Sequence, residues 1–170
     1  MHELRFKEEE FSLHRDEYGR HFIYVYDHES VVILAQNGEH FVLIKQFRPA
    51  LGREIIQLPG GGVKTGESLE EAVRREMLEE TGYECGEVQY LGGCFLAPWL
   101  TNEITHVFYT NQVRCVRDPS LESHEKIELV QLSVDDCLQK LKDGTLQDGE
   151  LAFAVCQAMI RGLLPQRMVK

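Results

Sequence analysis

The sequence predicts an α+β fold, a curved mixed sheet with helices laid on its faces. Three observations predict it. The first half is rich in β-branched and aromatic runs, the hydrophobic period turns helical at Ser68, and strands return before helical spacing closes the chain. In order, His21 to Tyr26, Ser30 to Ala35 and Phe41 to Phe47 read as strands, and Asn37-Gly38 between the last two marks a tight hairpin. A short run, Ile55 to Leu58, stops at Pro59 and the triplet Gly60-Gly61-Gly62. Leu69, Ala72, Val73 and Met77 then recur at helical spacing, with Ser68 and Glu71 as a capping box and Gly82 as the C-terminal stop. Strands follow around Gln89 to Phe95, Ile104 to Thr110 and Ile127 to Leu132. Ser133 and Asp136 open a second helix running to about Lys142, and Glu150 to about Arg161 reads as a third.

The 170 residues carry no Pro/Ser-rich linker, low-complexity tract or repeat, so residues 1–170 read as one domain. Hydrophobic residues at 43% and charged residues at 27% place the chain among folded globular proteins. Twenty-eight acids against eighteen bases leave a formal charge of -10, which argues against nucleic acid or an anionic membrane as partner. Any phosphate-bearing ligand then needs a local basic group or a bound metal. The start, MHELRFKEEE, lacks the apolar core of a signal peptide, and runs such as Val31 to Ala35 are too short to span a bilayer. The five cysteines are scattered, with no C-x-x-C pair, and read as small packed hydrophobes. A reduced, cytoplasmic setting is expected.

The first helix carries the chemistry. At about 100° per residue, Glu76, Glu79 and Glu80 fall on the same sector as Leu69, Ala72 and Val73. Carboxylates at this spacing repel by a few tenths of a kcal/mol per pair in water, and more where solvent is excluded. Arg75, one turn before Glu79, offsets part of this, but one guanidinium does not balance three acids; a divalent cation does. Ligands that are all hard oxygen donors suit magnesium or manganese. The alternative is a solvated acidic face, the usual fate of a charge run. Against it, the acids continue the inward sector, and the helix is entered through Leu58-Pro59-Gly60-Gly61-Gly62-Val63, a segment with few side chains to obstruct a ligand. A glycine triplet alone is consistent with a simple turn.

Gly61, five residues, Glu67, seven residues, then Arg75-Glu76-Met77-Leu78-Glu79-Glu80-Thr81-Gly82-Tyr83 resembles the Nudix box, G-x5-E-x7-R-E-U-x-E-E-x-G-U with U a bulky apolar residue. Every fixed position of the box, residues 61–83, is present; Tyr83 is aromatic where an aliphatic residue is usual. The resemblance implies a Nudix fold, an α/β/α sandwich around a mixed curved sheet. It also implies hydrolysis of a nucleoside diphosphate linked to another moiety, with magnesium as cofactor and manganese as a substitute. It assigns Glu76 and Glu80 as main metal ligands, with Glu79 direct or through water and the Gly60 carbonyl as another. Arg75 orients the acids, and Glu67 ties loop to helix.

Features outside the box resemble the ADP-ribose and ADP-sugar pyrophosphatase branch. Gln46-Phe47-Arg48 is similar to an element whose arginine contacts substrate phosphates. Pro98, fifteen residues after the box, matches that branch's characteristic proline, and Glu103 matches an acid that binds ribose hydroxyls. Trp99 stands where a glycine usually follows the proline, which places a bulky ring at the pocket lip. Glu122-Ser123-His124-Glu125-Lys126-Ile127-Glu128 resembles a loop supplying a general base and a late metal ligand. Glu125 fits the ligand position. Ser123 falls where the base is often found, which leaves Glu122, Glu125 or a box acid such as Glu79 for that role. His124 is read as solvated, and His106, alternating with Ile104 and Phe108, as a packed sheet residue. The first 26 residues, with Phe11, Phe22, Tyr24 and Tyr26, resemble an N-terminal β extension exchanged between two protomers, which implies a homodimer. The substrate reading is ADP-ribose or a related nucleoside diphosphate sugar. GDP-mannose, a UDP-sugar and a non-catalytic nucleotide sensor are the alternatives, although the sensor's mark, loss of box carboxylates, is missing.

Overall fold

A computed structural model describes residues 2–121 and 126–164. The chain opens with β1 (Glu3–Lys7), β2 (Phe11–Arg15) and β3 (His21–Val25), followed by β4 (Glu29–Asn37), β5 (His40–Arg48), β6 (Arg53–Gln57) and β7 (Gly60–Gly62). Helix α1 (Leu69–Thr81) precedes β8 (Tyr83–Cys85), β9 (Gln89–Cys94), β10 (Ile104–Thr110), β11 (Val113–Cys115) and β12 (Ile127–Ser133). Helices α2 (Val134–Lys142) and α3 (Gly149–Ile160) complete it. The main sheet runs β12-β5-β4-β10-β9, with β6 on β5 and β7 on β4; β10 lies parallel to β4, and its other pairings are antiparallel.

A fork in this sheet positions everything that follows. β4 and β5 pair only near their hairpin, from Asn37 opposite His40 to Ala35 opposite Val42. Beyond that they part. β6 takes the freed edge of β5, and β7 takes that of β4, with Val32 opposite Gly60 and Ser30 opposite Gly62. Leu58 and Pro59 sit at the branch, where the Ile33 N–H donates to the Pro59 carbonyl at 3.1 Å. The glycine triplet is therefore a strand rather than the open segment its composition suggests. Glycine is depleted from strands in general, and it is tolerated here because another element must approach the backbone closely.

β4 is buried on both faces, which explains its unbroken apolar run. Val31, Ile33 and Ala35 pack with Ala72, Val73 and Met77 of α1, while Val32 and Leu34 share the opposite core with α2 and α3. The layers are α/β/α, as expected. Helix α1 begins and ends where its signals place it. Ser68 and Glu71 complete the capping box, and Gly82, at φ 77°, donates its N–H to the Leu78 carbonyl. Helix α3 starts one residue before its expected first residue because Asp148 accepts from the Leu151 N–H at 2.7 Å and caps it. The pair β8 and β11, three residues each, escapes periodicity analysis. Cys137 is buried, and burial pushes its thiol, like that of the half-buried Cys85, up to about 11. Cys115 and Cys156, by contrast, are exposed and do not serve as packed hydrophobes. Cys115 lies on the short strand β11, and Cys156 lies off the α3 stripe of Leu151, Ala154, Val155 and Ala158.

The N-terminal strands form their own antiparallel sheet, β1-β2-β3. It is tied to the segment before β10: the Ile23 N–H donates to the Leu100 carbonyl at 2.6 Å, and the Asn102 amide bonds both the N–H and the carbonyl of Val25. No helix among the described residues is long and apolar enough to cross a membrane.

A side chain on Gly60 would place its Cβ 2.0 Å from the Val31 carbonyl oxygen, whereas one on Gly62 meets nothing within 4 Å. Gly60→Ala is expected to lower the melting temperature by about 5–10 °C and Gly62→Ala by no more than about 2 °C. Thermal denaturation of both variants checks this, and equal melting would contradict the close approach of β7 to β4.

Candidate active site

The register of β4 against β7 decides which way the glycine backbone points. The Ile33 N–H reaches Pro59 and the Val63 N–H reaches Glu29, so the bonded pairs are 33–59, 31–61 and 29–63. Gly60 and Gly62 are left with their polar groups turned away from β4. Each finds or offers a partner on α1. The Gly60 N–H donates to Glu80 Oε2 at 2.7 Å, and the Gly62 carbonyl accepts from Arg75 Nη2 at 3.0 Å.

Arg75 organises the rest of the helix face. Its Nε and Nη2 donate to the two oxygens of Glu67 at 2.8 and 2.9 Å, a bidentate pair. Its Nη1 donates to Glu76 Oε1 at 2.5 Å and to Glu79 Oε2 at 3.2 Å. Glu67 also accepts from the Lys64 N–H at 3.1 Å and so joins the loop before α1 to the helix. The acid repulsion anticipated from spacing alone is thus relieved in two separate ways. Arg75 takes Glu76 and Glu79, and the Gly60 amide takes Glu80, which is only 4% exposed. The backbone amide is the donor that helix spacing could not reveal. Hydrogen bonds from Arg75 hold the Glu67 carboxyl down to about 2, and the same pairing raises the guanidinium still further above its ordinary value.

Among the described residues, no group of three or more His, Cys, Asp or Glu side chains is gathered so as to hold a metal directly. The donor chemistry nonetheless fits a hard dication: carboxylates of Glu76, Glu79 and Glu80 beside the outward-turned backbone of Gly60. The cradle depends on glycine, because a Cβ on Gly61 would lie 2.7 Å from Glu76 Oε1.

Two cavities meet along β7. One, of about 490 Å³, is lined by Arg75, Glu76 and Glu79. The other, of about 330 Å³, is lined by Arg48, Gln57, Glu103 and Glu150, and the two share Asp27 and Gly60 to Gly62. Arg48 donates from Nε to Gln57 Oε1 at 2.9 Å, and Glu103 accepts from the Thr101 hydroxyl at 3.0 Å. Trp99 lines neither cavity and is 77% exposed. Glu122, Ser123, His124 and Glu125 lie outside the described residues. Glu150, half-buried in the second cavity, carries no sequence signal beyond that of an acid in a first helical turn. His106 is buried, as its strand alternation suggests, but it is also bonded on both ring nitrogens, to Tyr90 and Glu29.

Because the Glu67 carboxyl is depressed from an ordinary 4.5 to about 2, its contribution to stability is complete above 4.5 and disappears as pH falls towards 2. Denaturation curves collected across that window without added metal should show a shallower loss of stability for Glu67→Gln than for the parent protein. Parallel curves would contradict the bidentate pairing.

Comparison with known proteins bears on what this arrangement is. The NUDIX domain model matches residues 26–153. A methanol dehydrogenase activator of Bacillus methanolicus is 30% identical over 73% of this chain and 68% of its own length. An ADP-ribose pyrophosphatase of Bacillus subtilis is 29% identical over 74% and 69%. A GDP-mannose pyrophosphatase of Klebsiella pneumoniae is 31% identical over 85% and 78%. Among solved structures, one described as an ADP compounds hydrolase superposes with a TM-score of 0.77 at 19% identity, covering 96% of this chain and 93% of that one, a likeness of fold. With the domain model spanning the sheet, the box helix and both cavities, the chain belongs to the Nudix family.

Proposed function

We propose that this Nudix protein is a hydrolase that cleaves the diphosphate bond of ADP-ribose or a related nucleoside diphosphate sugar, giving a nucleoside monophosphate and a sugar phosphate. The observation that carries the reading is the pair of cavities sharing one glycine strand, with Glu76 and Glu79 beside Arg75 on one side and Arg48 on the other. A diphosphate lying along β7 meets both. Relatives named ADP-ribose pyrophosphatase and GDP-mannose pyrophosphatase support the substrate class, and the latter favour GDP-mannose as the second reading. A purely nucleotide-sensing role is disfavoured by the full set of box carboxylates, Glu76, Glu79 and Glu80.

Glu76, Glu79 and Glu80, with the Gly60 carbonyl and Glu125, are the residues to hold magnesium, or manganese in its place. Bound there, the cation neutralises the diphosphate and acidifies the attacking water. Arg75 keeps Glu76 and Glu79, the carboxylates that would hold the cation, in place through its hydrogen bonds. Glu79, Glu122 or Glu125 accepts the proton of the attacking water. Arg48 pairs with a phosphate oxygen and Glu103 accepts from ribose hydroxyls, whereas Trp99, which lines neither cavity, is given no part in holding the substrate. The protein works in the cytoplasm. It works as a homodimer: the small β1-β2-β3 sheet leaves Leu4 and Tyr24 exposed on one face and Phe6, past the β1 bulge, on the other, apolar side chains for a second copy to cover.

Glu76→Gln and Glu80→Gln are expected to lower kcat on ADP-ribose about 100-fold or more with melting temperature preserved, since each keeps its shape and sheds a charge. Arg48→Ala should raise KM about 10-fold with a smaller effect on kcat. Steady-state kinetics with magnesium, run on ADP-ribose and GDP-mannose, test both, and undiminished turnover in the glutamine variants would overturn the assignment. Sedimentation should give twice the 19.6 kDa chain mass for the parent protein and the single mass for Leu4→Glu/Phe6→Glu. A monomeric parent would contradict the dimer.

A further inference from the structure

We propose that Glu150 restricts the second cavity to an uncharged, hydroxyl-bearing group, accepting a hydrogen bond from a sugar hydroxyl and excluding an additional phosphate. The inference rests on the proposed reaction and adds a specificity-determining residue to it. Glu150 lines the cavity that also contains Arg48 and Glu103. Its carboxylate is held from behind by a directed hydroxyl chain. Ser30 and Thr105 are register partners on the parallel strands β4 and β10, and the Ser30 hydroxyl donates to Thr105 Oγ1 at 3.0 Å. The Thr105 hydroxyl in turn donates to Glu150 Oε1 at 2.7 Å, since a carboxylate can only accept. One oxygen is therefore anchored, and the group retains acceptor capacity for a ligand.

The charge around it points the same way. Burial pushes the Glu150 carboxyl up, opposed by the Thr105 hydrogen bond; Asp148 and Glu103 add to the rise, and Arg48 counters them. The lining thus sets Arg48 against four acids, Asp27, Glu29, Glu103 and Glu150, with Asp148 acting on Glu150 from nearby. One phosphate can pair with Arg48, but a further phosphate must face fixed carboxylates in a partly desolvated space. A polyol finds acceptors for its hydroxyls in those same carboxylates. ADP-ribose and ATP differ in this respect, because ATP carries a phosphate where ADP-ribose carries the ribose beyond its diphosphate.

The test compares kcat/KM for ADP-ribose and for ATP, with magnesium, in the parent protein and in Glu150→Gln, Thr105→Val and Thr105→Ser. Glu150→Gln should shift the ratio towards ATP about 10-fold, with KM for ADP-ribose raised and kcat little changed. Thr105→Val should shift it less in the same direction, and Thr105→Ser, which keeps the hydroxyl, should behave as the parent. A merely structural role would alter stability or kcat on both substrates together and leave the ratio unchanged. If the parent hydrolyses ADP-ribose and Glu150→Gln leaves the ratio unchanged, the Glu150 assignment is overturned while the reaction stands. If the parent hydrolyses no nucleoside diphosphate sugar, both fall.

Discussion

An ionised carboxylate near a protein core is stable only where a donor meets it, and α1 turns three of them onto a glycine strand. The site is the solution to that constraint. Arg75 spans Glu67, Glu76 and Glu79, while the Gly60 amide serves Glu80. The acids are thereby held in place along one face of the glycine strand.

The fork of β4 and β5 makes this arrangement available. Had those strands stayed paired along their length, their edges would be satisfied and no glycine strand could enter between them. With β7 on the edge of β4, alternation turns the polar groups of Gly60 and Gly62 outward, and the absence of side chains lets Glu76 approach Gly61. The same strand divides the space into a cavity lined by Arg75, Glu76 and Glu79 and one lined by Arg48, Glu103 and Glu150. The register of a few residues near Pro59 thus connects sheet topology to the two cavities on either side of β7.

Much of this was legible in the sequence. The capping box at Ser68, the stop at Gly82 and the hairpin at Asn37-Gly38 are local signals, and the structure contains each of them where its residue types require. The box spacing placed Glu76, Glu79 and Glu80 on one helix, and local periodicity was sufficient for that. What remained hidden depends on partners distant in sequence. The strand character of Gly60 to Gly62 is set by the edge β4 leaves open, and the Gly60 amide opposite Glu80 follows from it. The link from Ser30 through Thr105 to Glu150 joins three elements whose neighbourhood only the tertiary fold creates.

On the proposed reading, the carboxylates now held by Arg75 and the Gly60 amide are the ligands of a dication. Anomalous diffraction from crystals soaked in manganese examines it directly. The account predicts a strong peak beside Glu76, Glu80 and the Gly60 carbonyl, with at least one of those carboxylates turned from its present donor. Crystals with no peak there, and with Glu76 still on Arg75 and Glu80 still on Gly60, would contradict it.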